Sequence, residues 1–431
     1  MKIAIIGTGY VGLVTGTCFA DLGNNVVCVD NDTDKIKSLK KGISPIYEPG
    51  LEEMIKRNRK EGRLKFTPSI KEAVTKSEVL FICVGTPSKE SGEAELVYIE
   101  RVSKSIATHI NSYKLIVEKS TVPVETGEKV KEVVEYHKRN KVKFDVASNP
   151  EFLREGSAID DFMNPDRIII GVESKKAKDI LTELYRPLKA PIVATDIKGA
   201  EIIKHAANSF LATKISFINA LSNICEKVGA DVVEVAKGVG LDKRISMSFL
   251  NAGIGYGGSC FPKDVNAFIH ICDKLGYDFG LLREVRKINE GQQDVIIKKI
   301  EAMVWNLRGK TIGVLGLSFK PNTDDIRSAP SINIIERLQD LGCKIRAYDP
   351  KAMGKAKKVL ENVKFCKDAY DAAKTSDCLL ILTEWNEFKE LDFKKLKKLL
   401  HQPVIVDGRN VYDPKRMKKM GFRYSGIGRK L

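Results

Sequence analysis

Residues 2–30 constrain this chain more than any other stretch. Lys2-Ile3-Ala4-Ile5-Ile6 reads as a short buried strand, and it runs directly into Gly7-Thr8-Gly9-Tyr10-Val11-Gly12. A Gly-x-Gly-x-x-Gly string is weak evidence alone. Here it follows a strand, opens a helix that stops at Gly23, and leads to a second strand ending in Asp30. That context predicts the first βαβ unit of a dinucleotide-binding sheet. Gly7 permits the tight turn, Gly9 lets the backbone approach a pyrophosphate, and Gly12 lets helix and strand pack closely. The helix's N-terminal amides would then hold the phosphates. Asp30 lies 23 residues after Gly7, where a carboxylate accepts hydrogen bonds from both adenosine ribose hydroxyls. It would repel a 2′-phosphate, which favours NAD over NADP.

The chain of 431 residues is long enough for two or three domains. Strand-like segments continue at Asn25–Asp30, Val79–Val84, Lys114–Glu118, Phe144–Ser148 and Arg167–Val172, with amphipathic stretches such as Ile70–Lys76 and Thr126–Arg139 between them. Such alternation predicts a largely parallel sheet. From Ala200 to Val228 there is neither Gly nor Pro, and Ile203, Ala207, Phe210, Phe217, Leu221, Ile224 and Val228 recur at helical spacing. A helix over that span would be about 42 Å long, enough to bridge two domains or form a dimer interface. Near Lys310 a second α/β unit begins: Thr311–Gly316 repeats the opening strand and turn, and Lys344–Asp349 repeats Asn25–Asp30. Its fingerprint is broken by Phe319, so no second dinucleotide is expected there. Cys378–Leu382 and Pro403–Asp407 continue that sheet. The expected fold is α/β: two doubly wound Rossmann-like domains, 1–196 and 301–431, joined by a helical central domain, 197–300.

Hydrophobic residues make up 43% and charged residues 30% of the chain, and no run approaches 18 apolar residues. A globular protein with no membrane partner follows, with a cytoplasmic location as the expectation. The net charge of +16 raises a nucleic-acid reading. The lysines are dispersed, however, which describes a solvated surface rather than a binding module, so no nucleic-acid partner is expected. Nine cysteines are scattered without a Cys-x-x-Cys pair, which argues against zinc and against a disulfide framework. No metal is expected.

One cysteine differs in setting. Gly253-Ile254-Gly255-Tyr256-Gly257-Gly258-Ser259-Cys260 carries four glycines in the six residues 253–258 ahead of the thiol, and Lys263 and Asp264 follow it. Such a loop brings backbone close to a ligand, and a nearby cation favours the nucleophilic thiolate. The residues alone leave two readings for Cys260, a nucleophile or a buried structural thiol. Lys204 and Asn208, spaced i, i+4, share one helix face and could stabilise an oxyanion; the alternative is an exposed polar face. Glu151 follows the C-terminal end of a strand, where ligands bind in such sheets.

Taken in order, these segments resemble the UDP-glucose/GDP-mannose dehydrogenase family along essentially the whole chain. The resemblance rests on the opening fingerprint, Gly85-Thr86-Pro87, Ser120-Thr121-Val122-Pro123, and Asn149-Pro150-Glu151-Phe152-Leu153-Arg154-Glu155-Gly156. Phe249-Leu250-Asn251-Ala252-Gly253, Gly257-Gly258-Ser259-Cys260-Phe261-Pro262-Lys263-Asp264 and Phe319-Lys320-Pro321-Asn322-Thr323-Asp324-Asp325-Ile326-Arg327 complete it.

The resemblance implies oxidation of a sugar nucleotide's C6 alcohol to a carboxylate with two NAD+, through a thiohemiacetal and a thioester on Cys260. It implies that Lys204 and Asn208 stabilise the C6 oxyanion and that Asp264 acts with water in proton transfer, Lys204 and Asp264 being alternatives for the first base. Glu151, with Thr121, would position the hydrolytic water. NAD would contact Gly7, Gly9, Val11, Gly12, Asp30, Lys35, Thr121, Glu155, Lys263 and Arg327. The substrate would meet Glu151, Phe152, Leu153, Arg154, Glu155, Lys204, Asn208, Phe249, Leu250, Asn251, Ala252, Gly253, Gly257 and Lys320. Arg244 would reach a neighbouring subunit's sugar, implying a homodimer or higher oligomer. N-acetylhexosamine relatives resemble Pro-Glu-Arg-Val where this chain has Pro150-Glu151-Phe152-Leu153, and GDP-mannose relatives tend to carry serine at Gly156. Both comparisons point to UDP-glucose. A basic NAD-binding regulatory protein is the non-enzyme alternative; it leaves Cys260 unexplained.

Overall fold

The computed structural model describes residues 1–87, 89 and 92–429. The chain divides into two compact units, Met1–Ala207 with Asn266–Gly276, and Asn208–Val265 with Tyr277–Leu431. The central segment is shared between them, with two divisions falling inside helices Ile197–Val228 and Phe261–Lys274 and the third just after the latter.

The first unit is built on an eight-stranded sheet. In chain order its strands are β1 Lys2–Ile6, β2 Asn25–Val29, β3 Leu64–Thr67, β4 Val79–Ile82, β5 Lys114–Glu118, β6 Phe144–Ser148, β7 Ile168–Val172 and β8 Ile192–Thr195. Their order across the sheet is β3-β2-β1-β4-β5-β6-β7-β8, parallel except where β6 meets β7. The first six strands follow the doubly wound order, with its reversal beside β1. Period-2 alternation sends Ile3 and Ile5 to the core on one face and Ala4 and Ile6 to the core on the other. Both faces being covered, β4 and β5 read as unbroken apolar or buried runs.

The second unit repeats the plan with a six-stranded sheet. Its strands are β9 Thr311–Leu315, β10 Lys344–Tyr348, β11 Val363–Phe365, β12 Cys378–Ile381, β13 Val404–Asp407 and β14 Arg423–Gly426. The order β11-β10-β9-β12-β13-β14 reproduces that of the first six strands, and every pairing is parallel. The helix expected from Ala200 runs over Ile197–Val228, 32 residues. Four strands escape a reading of the sequence: β3, β8, β11 and β14. All four are terminal strands, one at each end of each sheet. Being three or four residues long and partly solvated, they carry too little apolar signal to stand out.

Candidate active site

In the first unit the glycine turn sits at the C-terminal end of β1. Gly7 has φ +104°, and a Cβ on it would lie 2.5 Å from the Cys83 carbonyl oxygen. A Cβ on Gly12 would lie 2.0 Å from the Gly7 carbonyl oxygen. Gly9 is different, since a Cβ there would meet no protein atom within 4 Å. The protein's own packing therefore demands Gly7 and Gly12, whereas Gly9 leaves a clear face at the start of helix Tyr10–Asp21. No side chain caps that helix, so its first amides remain available for phosphate. Val11 lies half-buried in the first turn.

Asp30 closes this corner. Its Oδ2 accepts hydrogen bonds from Thr8 N at 3.0 Å and Lys35 Nζ at 2.9 Å, and its Oδ1 accepts from Asp32 N at 3.0 Å. Burial works to raise its pKa, but the hydrogen bonds from Thr8, Asp32 and Lys35 outweigh it, and the carboxyl titrates below its usual value. These features fit a dinucleotide with free ribose hydroxyls. The glycines also separate fold from binding. Gly12→Ala is expected to destabilise the protein by about 1–3 kcal/mol or more, because backbone blocks the methyl. Gly9→Ala is expected to melt like the wild type yet bind NAD at least about tenfold more weakly, about 1.4 kcal/mol. Thermal melts and NAD titrations of both variants check this; equal melting losses would refute it.

A second cluster lies at the C-terminal ends of β5 and β6. Lys204 Nζ donates to the Glu151 carbonyl oxygen at 2.6 Å and to Glu151 Oε1 at 3.2 Å. Glu151 Oε2 accepts from Leu153 N at 2.6 Å. The Phe152 ring lies under the Arg167 guanidinium at 3.7 Å and the Lys204 ammonium at 5.1 Å. Arg154 is held by Asp161, while Glu155 is half-buried and Gly156 N donates to Glu48 Oε2 at 2.6 Å. Glu48 is buried and also receives Ala158 N at 2.8 Å, so one carboxylate ties this loop to the segment before helix Leu51–Lys60. The Thr121 carbonyl accepts from Thr86 Oγ1 at 2.9 Å. Further along the Thr121 loop, Glu201 accepts from Glu125 N at 2.7 Å and Gly127 N at 2.8 Å. Burial pushes Glu201 up to about 7.

In the second unit Cys260 immediately precedes helix Phe261–Lys274, where helix amides present partial positive charge. It is half-buried, whereas the other eight cysteines are buried. Burial raises those thiols, Cys343 to about 11 and Cys83 and Cys378 to about 12. The glycine loop before Cys260 is fixed by side-chain amides. Asn219 Oδ1 accepts from Gly253 N at 2.8 Å; Asn289 accepts from Tyr256 N at 2.7 Å and donates to Tyr256 O at 3.1 Å. A Cβ on Gly257 would lie 2.3 Å from the Ser328 carbonyl oxygen, and one on Gly258, φ +85°, would lie 2.7 Å from the Phe319 ring. Asp264 is 1% exposed and accepts from Asn208 Nδ2 at 2.6 Å and Lys263 Nζ at 2.5 Å.

The remaining substrate-segment residues divide by exposure. Phe249 has φ +67°, Leu250 and Ala252 are buried, Asn251 is exposed, and Gly253 packs against Gly408 and Arg409. Lys320 lies 5.6 Å from the Phe319 ring. Arg327 makes a two-point pair with Asp325, and Arg244 pairs with Asp242 while keeping a side chain 89% exposed.

The structure bears on two readings raised by the sequence. Lys204 and Asn208 are 4% and 6% exposed, so they do not form a solvated polar face. Lys263 does supply a cation in the Cys260 segment, but its ammonium is engaged by Asp264. Sequence reasoning missed Arg409, whose guanidinium donates to the carbonyls of Leu382 at 2.9 Å, Phe319 at 3.1 Å and Gly255 at 3.3 Å. Its signal was its place just after the C-terminal end of β13, where ligand-binding loops gather.

Models of the UDP-glucose/GDP-mannose dehydrogenase family match three stretches: the NAD binding domain over residues 1–189, the central domain over 198–291, and the UDP binding domain over 313–414. UDP-glucose 6-dehydrogenase TuaD of Bacillus subtilis is 53% identical over 429 residues, covering 99% of this chain and 93% of its own. A UDP-glucose dehydrogenase structure from Pyrobaculum islandicum superimposes with TM-score 0.93 at 39% identity, covering 99% of this chain and 98% of its own. A UDP-D-ManNAc dehydrogenase from Pyrococcus horikoshii gives TM-score 0.88 at 30% identity, covering 100% and 99%.

Proposed function

The chain belongs to the UDP-glucose/GDP-mannose dehydrogenase family and is an NAD-dependent oxidoreductase, and on that premise we propose that it oxidises UDP-glucose to UDP-glucuronate. Cys260 carries this reading, as the one cysteine of nine that is not buried, following a loop fixed at Gly253 and Tyr256. The substrate choice is supported by Phe152 and Gly156 and by the 53% identity to a UDP-glucose 6-dehydrogenase, against 30% to the UDP-D-ManNAc enzyme.

Bound NAD supplies the hydride acceptor, once in each of two rounds. Gly9, the uncapped amides of helix Tyr10–Asp21 and Asp30 would hold it, with Lys35, Thr121, Glu155, Lys263 and Arg327 as further contacts. In the first round C6 loses a hydride and its hydroxyl a proton, with Lys204 or Asp264 receiving that proton and Lys204 and Asn208 steadying the oxyanion. The Cys260 thiolate then adds to the aldehyde, forming a C–S bond and a thiohemiacetal. This restores a carbon able to give up a second hydride, and a thioester results. Water, positioned by Glu151 and Thr121, attacks the thioester carbonyl; the C–S bond breaks and Cys260 leaves as thiolate. Burial of Lys204, Glu151, Asn208 and Asp264 supports these roles, because charges held in low dielectric act strongly on developing charge.

The active form on this reading is a cytoplasmic homodimer or higher homo-oligomer. Among the described residues no helix is long and apolar enough to cross a membrane. On helix Ile197–Val228, Phe210, Phe217, Ile224 and Val228 are 66%, 55%, 55% and 73% exposed, an apolar seam at seven- and four-residue steps. That seam and the exposed Arg244 support pairing with a second copy.

Two NADH per UDP-glucose are expected, with slower turnover of GDP-mannose and UDP-N-acetylglucosamine. One NADH with an aldehyde product would rule out the thioester route.

A further inference from the structure

A buried lysine is rare unless its ammonium is paired or hydrogen-bonded. Lys119 is 4% exposed, and no step proposed above uses it. It follows Glu118 at the end of β5, and its Nζ donates to Asn149 Oδ1 at 3.0 Å and to Asn149 O at 3.2 Å. Every polar group of Asn149 is engaged. Its Oδ1 also receives Tyr185 Oη, its Nδ2 donates to Ile169 O at 2.7 Å, and its backbone N donates to Glu118 O at 2.8 Å.

Two residues later the same turn is gripped again, by Lys204 on the Glu151 carbonyl oxygen at 2.6 Å. Asn149-Pro150-Glu151 is therefore strung between two buried ammonium groups, one at each end. Proline stiffens the link, so the position of Asn149 is transmitted to Glu151. A cavity of ≈ 50 Å³ includes both Lys119 and Glu151 in its lining, together with Arg167 and Tyr185. Its walls are mainly apolar, but its volume admits water beside the polar groups of Lys119, Glu151 and Arg167.

We infer that Lys119 is a positioning residue for thioester hydrolysis, holding the Asn149-Pro150-Glu151 turn so that the Glu151 carboxylate meets the attacking water. This rests on the reaction proposed above, in which water forms the new C–O bond, Glu151 takes its proton, and Cys260 departs with the C–S electron pair. Lys204, which serves the first hydride transfer, is carried by helix Ile197–Val228 and only touches this turn, whereas Glu151 belongs to it. Loss of Lys119 therefore slows the last step selectively. Burial, with repulsion from Lys204, lowers the Lys119 pKa to about 8 against the opposing pull of Cys83 and Glu151, in keeping with a constrained cation rather than a surface lysine.

The test compares Lys119→Met and Tyr185→Phe with the wild-type full-length enzyme. For Lys119→Met, kcat is expected to fall about 10- to 100-fold, the scale of an ångström-level misplacement. KM for UDP-glucose and NAD should stay within about twofold, since uniform binding is untouched. Acid-quenched samples should show a sugar-acyl adduct on Cys260 by intact-protein mass spectrometry. Tyr185→Phe removes only one hydroxyl from Asn149 and should show the same pattern at about threefold. Should kcat be unchanged, or fall with no adduct and an equally slowed first hydride, the assignment is overturned. A wild-type enzyme that yields no second NADH would instead overturn the underlying reaction.

Discussion

Replacing Cys260 with alanine is expected to cut UDP-glucuronate formation by about 10³-fold or more, because a nucleophile is lost from an obligatory covalent step. The dinucleotide corner should be undisturbed, since Gly7, Gly9, Gly12 and Asp30 belong to the first unit and Cys260 to the second. NAD affinity should therefore stay within about twofold, measured by fluorescence titration. Stability should also change little. Cys260 is half-buried, and alanine removes one sulfur from the boundary of helix Phe261–Lys274, a loss of order 1 kcal/mol. The first oxidation can still occur, so at most one NADH per sugar nucleotide should appear, and only when the aldehyde is trapped with hydroxylamine. Chromatographic measurement of UDP-glucuronate decides the matter. Formation at near wild-type rate would remove Cys260 from the mechanism.

Lys204→Met should damage both fold and chemistry, and the two can be separated. The ammonium is the cation on Glu151 Oε1, 3.2 Å away, and both side chains are about 95% buried, with relative exposures of 5% and 6%. Removing one member of a buried ion pair leaves the other charge uncompensated, a cost of about 3–5 kcal/mol. Replacing both with neutral groups avoids that penalty. Lys204→Met combined with Glu151→Gln should thus regain most of the lost stability in urea denaturation, while activity remains down by about 10²- to 10⁴-fold. If the double variant is no more stable than Lys204→Met alone, the ion pair does not account for the loss. If either variant keeps normal kcat, Lys204 has no chemical role.

The central strands and the first glycine turn were legible because their causes are local. Ile3-Ala4-Ile5-Ile6 is apolar on both faces, and Gly7 at φ +104° answers to a backbone need that sequence displays directly. Short edge strands such as β11 were not legible, because only pairing with a neighbour defines them. The helix over Ile197–Val228 was read from its spacing, but which of its faces is buried was not. Lys204 and Asn208 could as well have faced solvent.

The sequence by itself determined the two doubly wound sheets, the glycine turn after the first strand and Cys260 as the distinctive thiol, since strand period, glycine placement and a resemblance along the whole chain are all written in residue order. Tertiary structure alone decided which groups meet. Lys204 reaches Glu151 across 53 residues, Asn208 reaches Asp264 across 56, Lys119 reaches Asn149 across 30, and Arg409 reaches Gly255 across 154. Those partners are set by strand order and by burial, which forces each polar group to find a mate wherever the packed chain provides one. Local propensity cannot specify such pairings, because nothing within a few residues of Lys119 or Arg409 announces the carbonyl that each must satisfy.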